Sequence, residues 1–174
     1  MRNKLLLAVC SVVLVGAGLS AEDKKAPTPT QVNINQVTLS PEMIRYAVTA
    51  ERRAIFTAAM EDLLVDATVK SNFWDIYNAY EKEREGVTDS RMNIVAEYAK
   101  NFTTMSDVKV NELLKSSYKT QSKELSIRKK YAAQLSKKVN ATVAGRFWQV
   151  DDFITSAIKV SLLSSVPLLG EDIK

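Results

Sequence analysis

Histidine is missing altogether from the 174 residues, and cysteine occurs once, at Cys10. Cys10 sits in the apolar run that opens the chain, where a bacterial lipoprotein signal would need a small residue immediately before it and this sequence has Val9. Read as part of a leader that is removed, Cys10 leaves a chain with neither thiol nor imidazole. That excludes a disulfide framework, Cys/His metal centres and Ser/His or Cys/His nucleophilic catalysis. Strand-like alternation and Asn-Gly hairpin turns are also wanting, which argues against a β architecture. The opening apolar run, Leu5 to about Gly18, falls short of the roughly 20 residues that cross a bilayer comfortably.

What is present at the amino end has the form of a secretory signal peptide: basic Arg2 and Lys4, the apolar run, and the small-residue end Leu19-Ser20-Ala21. Cleavage is expected after Ala21, with Ser20 as the other candidate and an uncleaved anchor as the competing reading. The expected organisation is a signal peptide at 1–21, a flexible arm at 22–39 interrupted by Pro27 and Pro29, and a single helical domain at 40–174. The expected location is periplasmic or secreted. Without Arg2 and Lys4, the 24 basic residues become 22 against 20 acidic ones, a balance that gives no general case for nucleic-acid binding.

Four helices follow from capping chemistry and apolar spacing. Ser40-Pro41-Glu42 starts the first, expected to about Asp62, with Ile44, Val48, Ile55, Ala59 and Leu63 inward and Arg45, Arg52 and Arg53 around them. Asp66 caps a longer second helix whose inward residues step by three and four through Phe73, Tyr77, Tyr80, Val87, Ile94 and Tyr98. Gly86-Val87-Thr88 is its weak point, where a bend or break is allowed because glycine costs about 1 kcal/mol against alanine. Ser106-Asp107 opens a third helix to about Val139, with Leu114, Tyr118, Gln121, Leu125, Ala132, Leu135 and Val139 read as its seam. Asn140 caps a fourth, Ala141 to about Ser165, with Val143, Phe147, Val150, Ile154 and Ile158 inward and Pro167 beyond its end. The short connector at Thr103-Thr104-Met105 makes the second and third helices antiparallel neighbours. The expected fold is all-α, four helices, with two long antiparallel helices forming a coiled-coil-like hairpin.

Phe73-Trp74-Asp75-Ile76-Tyr77-Asn78-Ala79-Tyr80 sets four aromatic rings in barely two turns. Phe73, Tyr77 and Tyr80, with Arg146, Phe147 and Trp148 of the fourth helix, are expected to form a structural hub, since aromatics at helical spacing usually pack. Arg146 is expected near an acidic or tyrosyl group between Phe73 and Phe102. Trp74 is the ring that would serve a partner if left exposed. The third helix is locally basic: Lys115, Lys119 and Lys123 fall on one line, and Arg128-Lys129-Lys130 and Lys137-Lys138 follow. Such a face is either solvated or a docking surface for anionic partners, with Lys115, Lys119, Lys123 and Lys130 as the candidates.

Three acid features are weaker. Glu81, Glu85 and Asp89 share one helix face, with Glu83 nearby, but no loop wraps them into a hard-cation site. Asp151 and Asp152 are neighbours in a helix and so point in different directions, which keeps them from sharing one substrate proton. The methionines Met43, Met60, Met92 and Met105 are scattered and read as core filling. No catalytic residue, metal ligand or cofactor is therefore expected.

The pattern Phe73-Trp74-x-x-Tyr77-x-x-Tyr80, Asp89-x-Arg91, Glu97-Tyr98-Ala99, Met105-Ser106-Asp107, Arg146-Phe147-Trp148-Gln149-Val150-Asp151 and Val166-Pro167-Leu168 resembles a group of exported, largely helical bacterial proteins of unassigned function. It departs from that group at Asp75, where a proline commonly follows Phe-Trp, and at Trp148. More remotely, the long hairpin and the Ser-Asp helix opening look like the Spy/CpxP-like periplasmic proteins, though the Leu-Thr-x-x-Gln motif of those families is absent. That likeness implies an ATP-independent chaperone or signalling adaptor. The reading that results is a non-enzymatic periplasmic binding protein for envelope or unfolded proteins, with a membrane surface or further copies of itself as other contacts. A structural or oligomeric envelope component is the alternative.

Overall fold

A computed structural model describes the backbone of residues 41–164 and 167–169 and the side chains of 47–161 and 167–169. The expected leader and arm, Cys10, the Ser40 cap, Ile44 and the chain end at 171–174 lie outside the described residues. Four α-helices make up nearly all of what is described, with no strand among those residues: α1 (Pro41–Met60), α2 (Ala67–Asn101), α3 (Asp107–Lys138) and α4 (Ala141–Ser164), with a short 3-10 turn at Phe102–Thr104. The chain divides into two units after Ile55, inside α1, and each is taken separately.

In the first unit, Ile55 is buried and Val48 half-buried on α1. Arg52, expected to flank that buried side, is itself buried, so the sequence reading of this arginine as a surface group is corrected.

The second unit begins at Phe56. After Met60 a tight turn forms, its carbonyl accepting from the amides of Leu63 and Leu64 at 3.0 and 3.1 Å. Three caps then fix where the next helices begin. The Asp66 carboxylate accepts from the Val69 amide at 2.9 Å, the Ser106 hydroxyl from Lys109 at 3.3 Å, and the Asn140 amide oxygen from Val143 at 2.8 Å. Each satisfies a first-turn amide that has no partner within its own helix.

The second helix passes through Gly86-Val87-Thr88 without interruption, because Val87 is buried and its packing outweighs the local propensity deficit. A methyl group added at exposed Gly86 would meet nothing nearer than Lys123 Nζ at 3.9 Å. Gly86→Ala is therefore expected to stabilise the protein by about 0.5–1 kcal/mol, read as a raised thermal midpoint, because it restricts the unfolded chain and creates no clash.

Cross-helix ion pairs give the direction of the hairpin. Glu83 meets Lys130, Arg91 meets Glu124, and Glu97 meets Lys109, so residue numbers rise along α2 as they fall along α3. The same inverse order links α3 to α4, through Arg128 with Asp152 and Glu124 with Lys159. Helix α4 thus lies along α3, antiparallel to it.

Burial is uneven along the hairpin. Buried residues of α2 run from Phe73 to Val87, and those of α3 from Thr120 to Leu135. Toward the tip, Ile94, Val95, Tyr98, Val110 and Leu113 are only half-buried. Among the described residues, burial is therefore deepest at the base of the hairpin and shallower toward the tip. Beyond α4, Tyr98 donates its hydroxyl to the Pro167 carbonyl at 2.8 Å, which ties the C-terminal stretch back to the arm as its apolar character suggests.

The seam expected on α3 holds at Leu135, which is buried, with Ala132 and Val139 half-buried, but its earlier residues face outward. Leu114, Tyr118 and Leu125 are 43%, 65% and 42% exposed, and Gln121 is exposed as well. The buried face instead carries Thr120, Glu124, Ile127, Arg128, Tyr131 and Leu135. Hydrophobic spacing misplaces part of this face because charged and polar groups occupy half of it, and Glu124, Arg128 and Tyr131 each meet a group from another helix.

Candidate functional site

The aromatic hub lies at the base of the hairpin and draws on all four helices. The Tyr77 ring stands 4.8 Å from Phe56 and 5.2 Å from Trp74, and Phe56 stands 5.5 Å from Phe147. Tyr80 meets Phe147 edge-on at 5.0 Å and Tyr131 at 5.5 Å. Trp74 packs edge-on against Phe73 and is half-buried, so it belongs to the rim of this cluster. Phe56 and Tyr131 are the members that spacing did not single out.

Beside the rings lies an ionic junction. Tyr80 donates its hydroxyl to Asp151 Oδ1 at 2.6 Å, and Arg128 Nε stands 2.6 Å from Asp151 Oδ2. The same guanidinium reaches exposed Asp152 at 3.0 Å through Nη2 and lies over the Trp148 ring at 4.3 Å. The two aspartates do point in different directions, yet one arginine spans both. Asp151 is 0% exposed with both oxygens engaged, which makes it a structural counter-charge.

Arg146 needs a correction. It does not meet a group between Phe73 and Phe102; it pairs with Asp62 in the α1–α2 turn and donates to the Ala59 carbonyl at 3.4 Å. The turn carries α2's start past this part of α4, and a spacing argument confined to helices has no means of seeing it.

The acidic residues of α2 are dispersed among cations. Buried Glu81 accepts from Arg84 at 3.0 Å. Glu83 accepts from Lys130 at 2.6 Å and from the Tyr131 hydroxyl at 2.8 Å. Among the described residues no acidic cluster is arranged to hold a metal ion. The hydrogen bond from Lys130 first, and that from Tyr131 second, hold the Glu83 carboxyl below the usual carboxylate range, while burial and the neighbouring carboxylate push the Tyr131 phenol up.

A depressed carboxylate stabilises the fold above its unfolded pKa of about 4.3, and that contribution is lost as pH falls through the folded value. Glu83→Gln is therefore expected to lower the thermal midpoint at pH 7, with the gap from the parent closing below about pH 4. Melting curves across pH 3–8 check this, and because the pair is partly solvated the gap is small.

The basic candidates separate into three groups. Lys130 is committed to Glu83 and lies near the Tyr131 ring. Lys115 is exposed on the outer side of α3. Lys119 and Lys123 border a cleft of about 470 Å³ between α2 and α3, whose floor includes Val87, Ile94 and Leu113. At the tip end of this cleft Lys109 joins Glu97 at 2.7 Å and Glu112 at 3.7 Å, two carboxylates to one ammonium, whereas Lys119 and Lys123 supply the cationic edge.

The chain matches no protein-family model, no curated protein and no solved structure. Among the described residues no helix is long and apolar enough to cross a membrane. What the cleft offers is an apolar floor, one cationic edge and serine hydroxyls at Ser90 and Ser116. Such a surface can hold an extended chain by burial and charge together; it assembles no nucleophile, base and oxyanion donors of the kind covalent chemistry needs.

Proposed function

We propose that the protein is a non-enzymatic binding module of the cell envelope, chaperone-like or adaptor in kind, that holds apolar segments with acidic flanks in the α2–α3 cleft. The observation that carries this reading is the cleft itself: an apolar floor that includes half-buried Ile94 and Leu113, beside Lys119 and Lys123. Apolar groups at Ile94 and Leu113 gain by being covered, at roughly 25 cal/mol per Å² removed from water. The lysines add preference for acidic flanks and speed of encounter. The commitment of Asp151 to Tyr80 and Arg128 supports a structural role for the carboxylate that otherwise looks most like a catalyst. The export leader read at the amino end supports an envelope setting, and the likeness to Spy/CpxP-like proteins implies the same kind of work.

Purified protein is expected to delay aggregation of a chemically unfolded client. The double variant Lys119→Glu/Lys123→Glu should lose most of that protection, and raising ionic strength well above about 0.15 M should weaken the parent, because screening shortens the reach of the lysines. Lys137→Glu/Lys138→Glu, on exposed positions of the same helix away from the cleft, should retain it. No delay by the parent protein, or equal loss in both variants, would overturn the proposal.

A second reading, a structural or oligomeric envelope component, is favoured by the outward stripe Leu114, Tyr118 and Leu125 on α3. Light scattering decides it: a mass that rises with concentration and falls in Tyr118→Glu supports self-packing, and a monomer at all concentrations removes it.

A further inference from the structure

A second cavity, of about 280 Å³, opens where α2, α3 and α4 meet. Ile94 and Thr120 line both this cavity and the cleft, so that pair forms the wall between them. At its edge the buried carboxylate of Glu124 receives two cations on one oxygen: Arg91 Nη2 at 2.9 Å and Lys159 Nζ at 3.2 Å from Oε2. Glu124 is the one carboxylate these two cations share, so the trio carries a surplus positive charge. Both cations line the cavity, and no acidic residue is among its other lining groups. Ile94 and Val95 supply apolar wall, and Ser117 and Gln121 supply donors.

From this arrangement we infer that the cavity is a binding site for a small monocarboxylate with a short alkyl tail. One surplus charge suits one carboxylate, which would sit on Lys159 and Arg91 beside Glu124. The apolar wall gives the tail a place that acetate cannot use and a dianion cannot balance. The volume falls just under the range of roughly 300–1,000 Å³ typical of drug-sized ligands, which limits the tail to medium length. This site is separate from the α2–α3 cleft, and the inference does not rest on the function proposed for that cleft.

The test is a titration of methyl-labelled protein by NMR with sodium octanoate, 1-octanol and sodium acetate. Octanoate is expected to shift the Ile94 and Val95 methyls saturably, at least roughly tenfold more tightly than either of the others, which is the scale of a hydrogen bond to a charged group. Lys159→Met, which keeps the apolar stem of a partly exposed side chain, should weaken octanoate by roughly tenfold, and Lys159→Arg should restore it. Absence of saturable binding, equal binding of octanol, shifts confined to methyls away from this cavity, or undiminished binding by Lys159→Met would each overturn the inference.

Discussion

Asp151→Asn is expected to destabilise the protein by about 3 kcal/mol in urea unfolding, although the replacement is nearly isosteric. Tyr80 can still donate to the remaining amide oxygen, so the hydroxyl loses little. The loss falls on Arg128, whose side chain is 8% exposed and whose Nε stands 2.6 Å from Asp151 Oδ2. Removing one member of a buried pair leaves the other charged and poorly solvated, at a cost of roughly 3–5 kcal/mol. The lower end is expected because Asp152 keeps its contact with Nη2 at 3.0 Å. The neighbouring substitution Asp152→Asn removes a carboxylate that is mostly solvated, and should cost under about 1 kcal/mol. If the junction acts only as a counter-charge arrangement, Arg128→Met combined with Asp151→Leu should recover most of the stability lost in Asp151→Asn, since apolar replacements of buried ion pairs are often neutral. Equal effects at 151 and 152 would contradict the buried-pair account.

Tyr77→Ala is the other large effect, about 3–5 kcal/mol, the usual cost of truncating a buried aromatic side chain. Its ring touches Phe56, Phe73, Trp74 and Tyr80, from two helices, so the cavity left behind is walled by rings that cannot all move in to fill it. Tyr118→Ala offers the control. Both tyrosines stood on apolar stripes of equal regularity, yet Tyr118 is 65% exposed and its removal should change stability by no more than about 0.5 kcal/mol. A near-zero effect at Tyr77 would mean that the aromatic cluster is a surface feature.

These two tyrosines also show what local sequence could and could not reveal. The helix starts were legible because capping is local chemistry: Asp66, Ser106 and Asn140 each bond an amide three residues on. The inward faces of α2 and α4 were legible because Phe73, Tyr77, Tyr80, Phe147, Val150 and Ile154 are apolar and at helical spacing. On α3 the same rule chose Leu135 correctly but also Leu114, Tyr118 and Leu125, while the fold buries Thr120, Glu124 and Arg128. The charged residues that α3 turns inward have distant partners, as Glu124 has Arg91 across 33 positions and Arg128 has Asp152 across 24. Periodicity carries no information about such partners. Arg146 failed for a related reason, because its partner Asp62 lies in a turn.

The candidate cleft was half legible. The spacing of Lys119 and Lys123 marked a basic line, but that they border an apolar-floored cleft follows from which side of α3 meets α2, the very face that spacing misread. Lys130, from the basic run that follows that line, is committed to Glu83. The second cavity was not legible at all, since Arg91, Glu124 and Lys159 come from three helices.

The most direct measurement places a photo-crosslinking residue at Ser116, which lines the α2–α3 cleft, and separately at exposed Ser136 near the other end of α3, and illuminates each with an unfolded client. The account predicts client adducts from position 116, reduced by Lys119→Glu/Lys123→Glu, and few from position 136. Adducts equal at both positions, or formed only at 136, would contradict it.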